Sequence, residues 1–72
     1  MPETSPEVLT RVRRLVVDEE QAVRRLTELA DLELDPMVRN DLEAAARSRR
    51  GQLAVDRKWL DDLERRAETP TT

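Results

Sequence analysis

The chain of 72 residues reads as all-α: an antiparallel two-helix hairpin that completes a four-helix bundle as a homodimer. Three observations carry that expectation. Apolar residues recur at helical spacing in both halves of the chain. Trp59 is the one aromatic residue, Gly51 the one glycine, and 40% of residues are charged, a composition of long helices rather than strands. Between the halves, Leu34-Asp35-Pro36-Met37 interrupts the pattern. Proline has no backbone donor and a fixed φ, so it suits a first helical position and disfavours helix in the residue before it. Asp35 is then the N-cap of a second helix beginning at Pro36. The competing reading, one long helix kinked at Pro36, is the weaker one.

The elements follow in order. Residues 1–4 are expected to form a short flexible tail and 5–68 a helical hairpin. Its first helix spans 5–34, with Ser5 as N-cap and Pro6 at the first helical position; Thr4 with Glu7 offers a competing capping box. Val8, Leu9, Val12, Leu15, Val16, Ala22, Val23, Leu26, Leu29 and Ala30 make a stripe of three heptad columns, wider than a two-column coiled-coil seam. The turn falls at residue 35. The second helix spans 36–67, with Val38, Leu42, Ala45, Ala46, Leu53, Trp59, Leu60, Leu63 and Ala67 on its stripe, and 69–72 form a second flexible tail. Gly51 costs about 1 kcal/mol relative to alanine inside a helix. It follows Arg47, Arg49 and Arg50, as a C-cap glycine would, but no capping residue follows it to start another helix. A continuous or mildly kinked helix is expected, with Gly51 and the alanines admitting a close neighbour.

Composition removes whole classes of function. With no cysteine and no histidine, disulfides, thiol chemistry and imidazole catalysis are excluded, and the Glu-x-x-His pattern of helical-bundle di-iron sites is missing. No nucleophile–base set, phosphate loop or metal pattern is visible, so no catalytic residue, cofactor or metal is assigned and an enzyme is not expected. No apolar run reaches the roughly 18 to 20 residues of a membrane span, and Met1-Pro2-Glu3 opens nothing like a signal peptide. A cytoplasmic protein is expected, and twelve arginines against one lysine suggest a bacterial coding sequence rich in G and C.

Polar residues on the apolar stripes are the first candidates for a special role. Glu19 and Glu33 occupy heptad positions in the first helix, and Arg49, Gln52 and Asp56 in the second. A hairpin folded at residue 35 brings together positions whose numbers add to about 70. That register sets Glu19 against Arg49 as a buried polar pair and Asp56 against Arg13 and Arg14. Such a pair would specify register, because leaving one partner alone costs about 3 to 5 kcal/mol. Glu20 with Arg24, Glu43 with Arg47, Asp61 with Arg65 and Asp62 with Arg66 have the favourable acid-first spacing along one helix.

Trp59, near the open end of the hairpin, reads as a core or dimer-interface residue, or as an anchor for another protein. Arg11, Arg13, Arg14, Arg57 and Lys58 gather at the same end and complete the candidate partner-binding set. Residues 27–43, around the turn, hold six acids against Arg39 alone, whereas the other helical parts carry an excess of three positive charges. Each hairpin is therefore electrically polar along its length, which favours a dimer with its two turns at opposite ends. The net charge of −3 and the acids interleaved among the arginines argue against nucleic acid.

Val8-Leu9-Thr10-Arg11-Val12, Leu15-Val16, Asp18-Glu19-Glu20, Leu34-Asp35-Pro36, and Trp59 ahead of Arg65-Arg66 together give the chain a resemblance. It resembles a family of short, charged actinobacterial helical proteins without an assigned function. The resemblance implies no activity and no site. The expected function is a small non-catalytic interaction, scaffold or regulatory protein acting through a helical-bundle face. The alternative is a nucleic-acid-binding helical dimer using arginines at the open end.

Overall fold

The computed structural model describes residues 5–68, and both expected tails, with Thr4, lie outside them. Two helices account for nearly all of that span, α1 from Pro6 to Leu32 and α2 from Pro36 to Glu68. They pack against each other as an antiparallel hairpin, a rod about 58 Å long and 16 Å wide.

The start of α1 is the one the sequence specifies. Ser5 is extended (φ −60°, ψ 132°), its Oγ accepts from the Glu7 N–H at 3.3 Å, and Pro6 follows it. The end of α1 comes two residues before the expected 34. Glu33 is already extended (φ −79°, ψ 127°), although its N–H still donates to Leu29 and Ala30. Its carboxylate folds back to accept from the Asp35 N–H at 3.0 Å, holding the link taut. Asp35 caps α2 as expected, its Oδ1 accepting from the Met37 N–H at 3.0 Å. The backbone carbonyl of Asp35 then accepts from Arg39 at 2.9 Å, closing the first turn.

This extended link changes the register. On one flank, among the described residues, three polar contacts cross between the helices: Arg13 with Glu64, Glu20 with Arg57, and Thr27 with Arg50. Each pair of positions adds to 77 rather than about 70. Residues 33–35 carry the chain past the end of α1 before α2 turns back, so the first turns of α2 project beyond Leu32. Leu34 at 88% and Met37 at 76% exposure show how bare that tip is.

Between the helices lies a thin core. Leu9, Val12, Val16 and Ala30 of α1 meet Ala46, Leu53 and Leu63 of α2, with Leu60 packed against the cluster at the open end. Among the described residues no large side chain is fully enclosed. α2 runs through Gly51 unbroken, with no positive φ. A methyl group added at Gly51 would meet nothing within 4 Å. Gly51 therefore faces solvent, and the expectation that it admits a neighbouring helix does not hold within the hairpin.

Candidate interaction face

The helix positions sort into columns seven residues apart. On α1 the inner columns are 9, 16, 23, 30 and 12, 19, 26, 33; on α2 they are 46, 53, 60 and 42, 49, 56, 63. One flank of this seam is polar on both helices. Residues 13, 20 and 27 meet 64, 57 and 50 there, through Arg13 Nη2 to Glu64 Oε2 at 3.5 Å, Arg57 Nη2 to Glu20 Oε2 at 3.3 Å, and Arg50 Nη2 to Thr27 Oγ1 at 3.1 Å. Thr27 Oγ1 also donates to the Val23 carbonyl at 2.9 Å, which orients it for Arg50. Two shallow grooves open along this side, lined largely by charged and hydroxyl-bearing side chains.

Since these flanks face each other, the opposite flanks of both helices must share the other side. There the columns are Val8, Leu15, Ala22 and Leu29 on α1, and Val38, Ala45, Gln52 and Trp59 on α2. Seven of these eight are apolar. Leu15 is 42% and Trp59 47% exposed, and Val8, Leu29 and Val38 are similarly open. Leu32 and Val55 are exposed one column further out, each in an otherwise polar column. The third column of the wide α1 stripe is thus left outside the hairpin core. Trp59 belongs with it and lies outside the core cluster, where Leu60 takes the inner position.

The arginines at the open end do not form a single surface. Arg11 pairs with Glu7 at 2.8 Å and Arg14 with Asp18 at 3.3 Å along α1, while Arg13 and Arg57 are held on the polar flank. Lys58 follows Arg57 on the outer side of α2, away from the seam. Glu20, expected beside Arg24, reaches across to Arg57 because the flank positions of the two helices are level.

The expected Glu19–Arg49 pair makes no direct hydrogen bond through Glu19 Oε2, although the charge of Arg49 still acts on Glu19. The carboxyl group of Glu19 lies within hydrogen-bonding reach of Asp56, while Arg49 is exposed and exerts only a weaker attraction. Asp56, expected beside Arg13 and Arg14, is instead buried at 7% exposure and accepts from Gln52 Nε2 at 3.1 Å. Glu19 Oε2 is shut off from solvent and has no hydrogen-bond partner. Burial, and then the hydrogen bond and negative charge of Asp56, raise the Glu19 pKa above the ordinary carboxyl range, with Arg49 opposing.

Arg39 is the residue that pattern reading missed. Its Nε donates to the Glu33 carbonyl at 3.0 Å and its Nη2 to the Leu34 carbonyl at 3.5 Å. One side chain thus reaches two carbonyls of the link just beyond α1. The signal was present in the sequence only as a lone base among six acids.

Among the described residues no group of three or more acidic, histidine or cysteine side chains is placed to hold a metal ion, and no helix is long and apolar enough to cross a membrane. Compared with family models, curated proteins and solved structures, the chain finds no match.

Proposed function

We propose that this chain is a non-catalytic interaction or scaffold protein whose working form is a homodimer, two hairpins packed face to face as a four-helix bundle. The observation that carries this reading is the asymmetry of the hairpin's two sides. One side is closed by polar contacts between its own helices, and the other carries apolar columns on both helices, interrupted at Gln52. The hairpin's own seam uses two of the three α1 columns and leaves the third wet. Chains below about 80 residues seldom bury enough surface to fold alone without disulfides, metal or a partner. A face 58 Å by 16 Å projects about 900 Å², comparable to the roughly 800 Å² per partner of a standard interface. A second copy supplies the matching apolar surface with the same length and spacing.

Sedimentation across a dilution series tests it. The full chain is expected to be dimeric at micromolar concentration, with helicity and melting temperature falling on dilution. Leu15→Glu should shift it to monomer, whereas Arg50→Gln, on the polar flank, should leave the dimer intact. A cooperatively folded monomer at every concentration would overturn the reading.

A further inference from the structure

Midway along the seam, where the neighbouring layers are apolar, two carboxylic acids meet. Asp56 is 7% exposed and Glu19 Oε2 touches no solvent and no donor. Of the nearby donors, most are committed elsewhere, and Arg49 acts on Glu19 only as an opposing charge weaker than burial and Asp56. Gln52 Nε2 is given to Asp56 Oδ1. On α2, Arg57 is held by Glu20, and Arg49 sits out on the surface. On α1, the flanking acids Asp18 and Glu20 each have their own arginine. If both carboxyls were ionised, two like charges would face each other across the seam, where Asp56 is buried and Glu19 half-buried, and a buried oxygen would lack a partner. One proton removes both penalties, because a carboxylic O–H on one side chain donates to the carboxylate of the other.

We propose that Glu19 and Asp56 form a proton-binding site at the midpoint of the hairpin, so that the two helices hold together more tightly as pH falls from neutral. The proposal concerns the seam within one hairpin and does not depend on dimerisation. The upward displacement of the Glu19 pKa agrees in sign. A group whose folded pKa lies above its unfolded value contributes stability at low pH and loses it as pH rises through the folded value. Deprotonation on the alkaline side therefore loosens the middle of the rod, between Val16 and Val23 on α1 and around Leu53 on α2. Because the chain has no histidine, few other groups titrate between about pH 5 and pH 8, which isolates the effect.

The test is thermal unfolding of the full chain at one fixed concentration across that pH range, for the wild type, Glu19→Gln and Asp56→Asn. The wild-type melting temperature should climb as pH falls from 8 to 5. In Glu19→Gln the amide donates at every pH, so the slope should vanish and the variant should melt above the wild type at pH 8. Asp56→Asn should also flatten the profile. A wild-type profile that is flat, or one that either variant reproduces unchanged, would overturn the proposal. Since each comparison is internal to one concentration, its outcome is separate from that of the dilution series.

Discussion

Single residues hold the two ends of the link together. Asp35 satisfies a backbone donor at the start of α2 and Arg39 satisfies carbonyls at the end of α1, four residues apart on opposite sides of one bend. Their removal should therefore act on the same structure. Asp35→Ala is expected to cost about 1 kcal/mol, the usual value of an N-cap. Arg39→Ala should cost a similar amount, about 1 kcal/mol, since its bonds to carbonyls are charge-assisted but partly open to water. Chemical denaturation of each single variant and of the double variant measures both. If Arg39 serves only as surface charge, Arg39→Lys will equal the wild type; as a fork reaching two carbonyls, it will not. Asp35 was legible in the sequence because capping is local and proline marks the boundary. Arg39 was not, because its partners come into reach only once Glu33 has left the helix.

At the scale of the helices, α1 and α2 form for local reasons but are oriented by their neighbours. α2 tolerates Gly51 because 32 other positions extend the helix on either side of it and tertiary packing outweighs one unfavourable propensity. Its Cβ would stand in open space, so Gly51→Ala should stabilise the fold by about 0.5 to 1 kcal/mol and raise the melting temperature by roughly 2 to 8 °C. Calorimetry checks it, and a loss of stability would mean that another molecule packs against residue 51. The apolar stripes themselves were readable from spacing. Which column of α1 faces α2, and which stays outside, was not, because the columns 8, 15, 22, 29 and 9, 16, 23, 30 are equally apolar. The polar contacts at 13, 20 and 27 break that tie by fixing one flank as the closed side.

The whole molecule is a rod whose turn end is acidic and whose open end is basic. Ion pairs within the hairpin do not alter that imbalance, since each removes one charge of either sign. Two rods lying face to face are therefore expected to set their turns at opposite ends, each acidic tip beside the partner's basic end. Screening over about 8 Å at physiological salt limits the bias, so it acts through many charges rather than one. A spin label on Asp31→Cys should report an intermolecular distance on the order of a helix length, roughly 40 Å. A short separation between the two labels would reverse the arrangement and place both tips together.

Backbone chemistry and periodicity determine the two-helix chain, the caps at Ser5 and Asp35 and the break before Pro36, because each rests on contacts within about four residues. The register is a different kind of quantity. The partner of Glu19 moves from Arg49 to Asp56, one heptad along α2, a slip that keeps each apolar column on its face. Hydrophobic pattern alone is almost indifferent to such a slip. Only the folded link decides it, by extending Glu33 to Asp35 and projecting the start of α2 beyond Leu32. With that slip, Glu19 faces Asp56 and not Arg49, and where an ion pair was expected two carboxyl groups meet.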